Sequence, residues 1–267
     1  MTIYAIGAVA GDFTALNRLL SQIEFNREHD QLWFSGNLVN GGPDSLAILR
    51  FVRELGRHAV VVLGYQELRL LSIAEGMAQP QQNDAFTDIL TADDRATLLK
   101  WLYQRPFLHH EAGYTLIHAG IPAEWSLSQA RTFAIEAESS LAMGNPKTFF
   151  ENIAGNSPTR WHAKLRGWKR LRFIVNALTR MSYYDDTGRF DFTLEATGSV
   201  PPENYRPWSQ QTDRVMAGHN IICGNVLGAV ADDVPGIFPL HRGQGDGNTL
   251  SAMRLSATPE TIKVPRN

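Results

Sequence analysis

Apolar and polar positions in the first third of the chain repeat a strand–turn–helix rhythm. Ile3 to Val9 is a β-branched-rich run punctuated by Gly7 and Gly11, which predicts a buried strand entering a turn. Asp12 is placed to cap a helix whose apolar positions Leu16, Leu19, Leu20 and Ile23 share one face. Leu32 to Phe34 predicts a second strand, stopped by Gly36 and a turn through Gly41-Gly42-Pro43. Asp44 then precedes a helix carrying Leu46, Leu49, Val52 and Leu55. Ala59 to Leu63 predicts a third strand, running into Gly64 and a helix with Leu68, Leu71 and Ile73. Three such units in succession predict an α/β fold with a parallel core.

Beyond them, Tyr114 to His118 predicts a fourth strand, and Ser126 to Met181 reads mostly helical. Strand-like runs return at Val215 to His219, Ile237 to Leu240 and Leu250 to Leu255. Gln79 to Asn83 reads as a polar loop and Thr258 to Asn267 as a tail. The domain is therefore expected over 1–257, with residues 258–267 outside it.

Composition narrows the class. The 267 residues are 43% hydrophobic and 19% charged, too apolar for a disordered chain. Lys plus Arg total 25 against 27 for Asp plus Glu, so a surface built throughout for nucleic acid or an anionic membrane is not expected. A single cysteine, Cys223, excludes an intrachain disulfide and a paired-cysteine zinc site. No basic n-region opens the sequence and no apolar run has membrane-span length, so a cytoplasmic protein is expected.

Open α/β sheets gather ligands at the carboxyl ends of their strands. Here those ends are Gly7 to Gly11, Gly36 to Pro43, Gly64 to Glu67, His118 to Gly120 and Gly218 to Asn220. In that order they resemble the signature blocks of the calcineurin-like metallophosphoesterases, and most closely those of the symmetrical bis(5'-nucleosyl)-tetraphosphatases. Leu165-Arg166-Gly167, Arg170-Leu171-Arg172-Phe173-Ile174, Asn176-Ala177 and Thr179-Arg180-Met181 are similar to that family's helical insertion, placed here at about 126–182. The resemblance implies a four-layer α/β/β/α sandwich and hydrolysis of diadenosine tetraphosphate to two ADP.

The metal chemistry implied by that resemblance is interrupted. Such enzymes hold two divalent ions that activate water and clamp phosphate. Where the family's first block reads Gly-Asp-x-His-Gly, this chain has Ala8 and Ala10. Asn37 and Gly41 stand for a bridging Asp and a phosphate-holding Arg, and Tyr65, Gln66 and Glu67 for an Asn ligand, a general-acid His and its orienting Asp. Alanines at 8 and 10 could come from laboratory substitution, but the other replacements are not alanines. His118 and His219 match ligands of the second metal, and Leu240-His241-Arg242-Gly243 replaces an acidic stretch. Two dications bring a charge of about +4, which needs anionic oxygens. A catalytically degenerate protein is expected, with no cofactor or at most one weakly held divalent metal at His118 and His219. Relocated one-metal chemistry using Glu67, His118, His219 and Asp12 is the alternative, as is residual tetraphosphate hydrolysis.

Positive charge is concentrated between Asn152 and Tyr184, a stretch with Arg160, Lys164, Arg166, Lys169, Arg170, Arg172 and Arg180 and no acidic residue. Arginine forks suit phosphate oxygens, and Trp161, Trp168 and Phe173 could offer stacking surfaces. Arg166, Arg170, Arg172 and Arg180 are thus candidate anion or nucleotide ligands. A solvated or internally paired helical face explains the same residues. Expected partners are a nucleotide, a dinucleoside polyphosphate or an unidentified protein; a membrane and nucleic acid are not expected.

Overall fold

Side-chain alternation along β1 (Thr2–Ile6) sorts the molecule into layers. Ile3 and Ala5 face a core that also holds Trp33, Val62, Tyr114, Leu116, Ile222, Leu240 and Met253. Tyr4 and Ile6 face the opposite way, into the apolar faces of the helices. Period-two alternation on one strand thus builds both a sheet-on-sheet and a sheet-on-helix contact.

The computed structural model describes residues 1–192, 202–224, 234–240 and 248–266. After β1 come α1 (Phe13–Gln22), β2 (Asp30–Phe34), α2 (Ser45–Glu54), β3 (Ala59–Val61), α3 (Tyr65–Ala74), α4 (Thr87–Thr91) and α5 (Arg95–Tyr103). The hairpin β4 (Leu108–Glu111) and β5 (Tyr114–Ile117) leads into α6 (Leu127–Met143), α7 (Pro146–Ile153) and α8 (Gly167–Arg180). Then follow β6 (Tyr183–Asp185), β7 (Phe190–Asp191), β8 (Tyr205–Pro207), β9 (Asn220–Cys223), β10 (Ile237–Pro239), β11 (Thr249–Arg254) and β12 (Glu260–Pro265).

One sheet has the order β12-β11-β1-β2-β3, the second β10-β9-β5-β4, and a small third β7-β6-β8. β1, β2 and β3 are parallel, as are β5, β9 and β10. The two larger sheets face each other across the inner core, with α1 against β11 and β12 on one side and α6 against β4 on the other. This is the expected sandwich. The Asp12 cap is present, its carboxylate accepting from the Ala15 amide at 2.8 Å, whereas Asp44 makes no side-chain cap bond. Among the described residues, no helix is long and apolar enough to cross a membrane.

Two readings of the C-terminal half are corrected. Residues expected as a tail carry β12, which pairs with β11 from Thr249↔Pro265 to Arg254↔Glu260 and buries Val264. The run Val215 to His219 is not a strand. The strand starts one residue later, at Asn220, because the chain turns at 215–219 and enters the sheet only after His219.

Arg266, just past β12, donates to the backbone oxygens of Thr249 (3.1 Å), Val9 (2.8 Å) and Ala8, fastening the C-terminal end to the loop after β1. Deleting residues 258–267 removes the partner strand of β11, the buried Val264 and this clasp. The expected loss is about 3 kcal/mol or more of unfolding free energy, read by urea denaturation. An unchanged midpoint would return the segment to a tail.

Candidate functional site

Parallel direction brings the carboxyl ends of β1, β2, β3, β5 and β9 to one edge of the sandwich. The two sheets are joined there by His118, which follows β5. Its Nδ1 donates to the Ser35 carbonyl at 2.7 Å, and its own carbonyl accepts from the Gly224 amide at 3.0 Å. The approach is close enough to require glycine. A Cβ on Gly36, which has φ +84°, would fall 2.7 Å from the Gly64 nitrogen and 2.9 Å from His118 Nδ1. One on Gly64 would fall 2.6 Å from Asn37 Oδ1.

The first three loops are stitched by backbone bonds. Ala10 N donates to Asn37 O (2.8 Å), Gly11 N to Leu38 O (3.0 Å) and Gly42 N to Ala10 O (2.8 Å). Ala10 and Asn37 both adopt positive φ, 52° and 51°. Beneath them lies Glu67, fully buried in the first turn of α3. One carboxylate oxygen accepts from the amides of Leu38 (2.7 Å) and Val39 (3.4 Å), the other from Asn37 (2.8 Å) and Gly64 (2.9 Å). Burial pushes this carboxyl above its ordinary range against the pull of those amides.

A polar network lines the mouth. Asn40 Nδ2 donates to Gln66 Oε1 (2.9 Å) and Asp84 Oδ1 (3.2 Å), and Arg69 holds Asp84 with contacts of 3.1 and 2.5 Å. The Arg69 guanidinium holds the Asp84 carboxyl below the usual carboxylate range. Asn40, Arg69 and Asp84 did not stand out in the sequence. Asp84 flanks the polar stretch read only as a loop, and nothing in residue spacing links position 84 to 40 or 69. Tyr65, the first residue of α3, remains 38% exposed at this mouth.

The predicted site residues divide into those the fold assembles and those it does not. Ala8, Ala10, Asn37, Gly41, Tyr65, Gln66, Glu67 and His118 lie on the converging loops. His219 does not. With Tyr114 opposite Asn220 and Ile117 opposite Cys223, His219 precedes its strand while His118 follows the neighbouring parallel one. Five residue steps, about 16 Å along the strands, separate them. The expected metal pair of His118 and His219 is therefore corrected: these imidazoles stand at opposite ends of the sheet. His241, Arg242 and Gly243 lie outside the described residues.

The arginines divide likewise. Arg170 Nε meets both Glu136 carboxylate oxygens at 2.9 Å, and its guanidinium lies over Phe133 and Trp161. Arg172 donates to the carbonyls of Asn152 and Ser157. Both, expected as anion ligands, are committed to holding α8 against α6, α7 and the segment after α7. Arg166 donates to the carbonyls of Ala163 and Leu165 at the start of α8. Arg180 alone of the four reaches the mouth, 5.7 Å from the Tyr65 ring centroid. Trp161 and Phe173 are packed into an aromatic cluster with Trp125 rather than offered to a base.

A pair of divalent ions does not fit the donors described here. Ala8 and Ala10 have none. All four amide contacts engage the Glu67 carboxylate, and Asn37 Oδ1 accepts from the Gln66 amide at 3.0 Å. His118 remains: because Nδ1 donates to Ser35, its buried Nε2 carries a lone pair and has no partner among the described residues. Among the described residues, no group of three or more His, Cys, Asp or Glu side chains could hold a metal ion.

The family model of the calcineurin-like phosphoesterases matches residues 1–219. A symmetrical bis(5'-nucleosyl)-tetraphosphatase of Methylococcus capsulatus is 44% identical over 267 residues, covering 99% of this chain and 95% of that protein. Its counterpart from Thioalkalivibrio sulfidiphilus is 42% identical, covering 97% and 96%. A solved protein serine/threonine phosphatase from Saccharomyces cerevisiae superposes with a TM-score of 0.56 at 12% identity. It covers 99% of this chain and 80% of that one, a likeness of fold alone.

Burial lowers the His118 imidazole to about 4. A lowered folded-state value means the native protein resists a proton that the unfolded chain accepts below about 6.5. Stability tied to His118 is thus complete above pH 6.5 and is lost as pH falls toward 4. Between pH 7 and 5 the wild type should lose about 2 kcal/mol more than His118→Gln, measured by urea unfolding at each pH. Parallel pH profiles would show that the ring is not held neutral by burial. Separately, Arg170→Glu should cost about 2 kcal/mol or more, since it sets a second carboxylate against Glu136. A loss within 0.5 kcal/mol, as is typical of a solvated surface change, would contradict the internal role.

Proposed function

The chain belongs to the calcineurin-like phosphoesterase family, and from that premise we propose that it binds a dinucleoside polyphosphate or a related nucleotide anion at the converging strand ends without two-metal hydrolysis. The observation that carries this reading is the state of Glu67. Its carboxylate is fully buried beneath the loops, and its oxygens are saturated by four backbone amides. Drawing it onto a cation would strand those amides, each buried orphan costing about 1–3 kcal/mol. Gln66, bonded to Asn40, has no proton to give a leaving phosphate near neutral pH.

What this chain's residues supply instead is recognition. Arg180 brings a guanidinium to the mouth beside an exposed aromatic ring, and the amide-rich loops keep a fixed shape around it. Such a site holds an anion through hydrogen bonds and cationic side chains, and needs no bound dication to do so.

The second reading is hydrolysis of bis(5'-nucleosyl) tetraphosphate to two nucleoside diphosphates. The comparisons favour it: relatives at 44% and 42% identity over nearly the full length are named as tetraphosphatases. Among the described residues, the buried His118 Nε2 gives it a donor.

Calorimetric titration with diadenosine tetraphosphate in EDTA, repeated with excess Mn²⁺ and followed by chromatography of the nucleotide, separates the two. Binding in EDTA with intact nucleotide recovered under both conditions is expected. ADP release that requires Mn²⁺ would overturn the binding reading in favour of hydrolysis. Absence of binding in either buffer would sink both.

A further inference from the structure

A cleft of about 430 Å³ opens where the end of α3, the length of α5 and the junction of α6 with α7 come together. That volume lies within the range of small-molecule pockets. The cleft is separate from the strand-end hollow. Helix α3 starts in the hollow at Tyr65 and ends ten residues later at Ala74, about 15 Å away, where Glu75 begins the lining of the cleft. Helix α5 contributes two adjacent rows at i, i+4, i+8 spacing, Arg95-Leu99-Tyr103 and Ala96-Lys100-Gln104. Together they run about 13 Å along the helix. Leu141, Ala142 and Pro146, from the end of α6 and the start of α7, supply apolar surface on the far wall.

The charges lining this cleft do not balance. Glu75, the one carboxylate of the lining, accepts the Tyr103 hydroxyl at 2.8 Å. Arg95 donates to the Ala74 carbonyl at 3.2 Å, and its buried Nε has no partner among the described residues. Among those residues, neither Arg95 nor Lys100 takes part in an ion pair. Two cations against one carboxylate leave the lining with a single positive charge in excess.

We propose that this cleft binds a small organic carboxylate with a compact apolar body. The carboxylate sits between Arg95 and Lys100, and the body lies over Leu99, Leu141 and Ala142. One negative charge matches the surplus of the lining, whereas the second charge of a phosphate monoester would be set against Glu75. A guanidinium has five N–H donors, so the bond to Ala74 leaves Arg95 with donors for a carboxylate. The apolar wall favours an anion that carries hydrocarbon over an inorganic one, because only the former removes that wall from water. The site does not depend on what the strand-end hollow binds.

The test is a saturation-transfer NMR titration with 3-phenylpropionate as probe and 3-phenylpropanol and phenyl phosphate as comparisons. Wild type should bind 3-phenylpropionate with a Kd on the order of 1 mM, ordinary for a ligand of that size. The neutral alcohol and phenyl phosphate should each bind roughly tenfold more weakly. Arg95→Gln should weaken 3-phenylpropionate binding roughly tenfold and Lys100→Gln about threefold. Ala142→Trp, at an exposed position, fills the cleft and should abolish binding. Melting curves identify any variant that fails to fold. Lys100 and Ala142 are exposed, so their variants carry the test even if Arg95→Gln is unstable. No wild-type binding at about ten times the expected Kd overturns the proposal, as does binding that Ala142→Trp leaves unchanged. Equal affinity for the alcohol or the phosphate overturns the assignment to a carboxylate.

Discussion

Four backbone amides from two loops converge on the carboxylate of Glu67, and the rest of the strand-end region takes its shape from that contact. The loop after β2 turns back on itself at Asn37 because its amides point inward to this internal anion. Gln66 and Tyr65, on the preceding residues of the same helical turn, are thereby presented to the mouth. Asn37 then accepts from the Gln66 amide, and Ala10 and Gly11 pair with Asn37 and Leu38. The region is thus organised around a negative charge supplied by the chain itself, in a place where amide dipoles would otherwise gather an external one.

That arrangement is the ground of the proposal that the site acts without two dications. Among the described residues, a hollow of amides, an asparagine and one neutral imidazole has modest charge of its own, and the cations near it are on side chains. Arg180 at the mouth, Arg69 at the side and Arg266 behind the first loop are all tied by hydrogen bonds to fixed partners. The names of the relatives pull the other way.

Much of the fold was legible in the sequence. The first three strand–turn–helix units, the Asp12 cap and the helical stretch follow from periodicity and punctuation, which are local properties. The strand before His118 was legible too, although its hairpin partner β4 was not, since His109 and His110 interrupt the apolar pattern. What failed was polarity along a strand. Val215 to His219 has strand-like hydropathy, but the sheet admits the chain only from Asn220, and that shift carries His219 from the carboxyl end to the amino end. The edge strand β12 was invisible because one buried residue, Val264, in a polar run does not look like a sheet. Within the site, the glycine-marked loops were legible as a group. The bonds of Asn40, Arg69 and Asp84 were not, because they join positions far apart in sequence. Arg170 and Arg172 illustrate the same limit: a run of positive charge says nothing about which guanidiniums face inward.

The clasp of Arg266 on the carbonyls of Ala8 and Val9 has a consequence for how the chain folds. Strand β1 is flanked on one side by β11, which is itself bordered by β12, so residues up to 257 positions away in sequence complete its surroundings. Until β12 is in place, the loop after β1 lacks the Arg266 clasp. Such long-range closure favours slow acquisition of the native state.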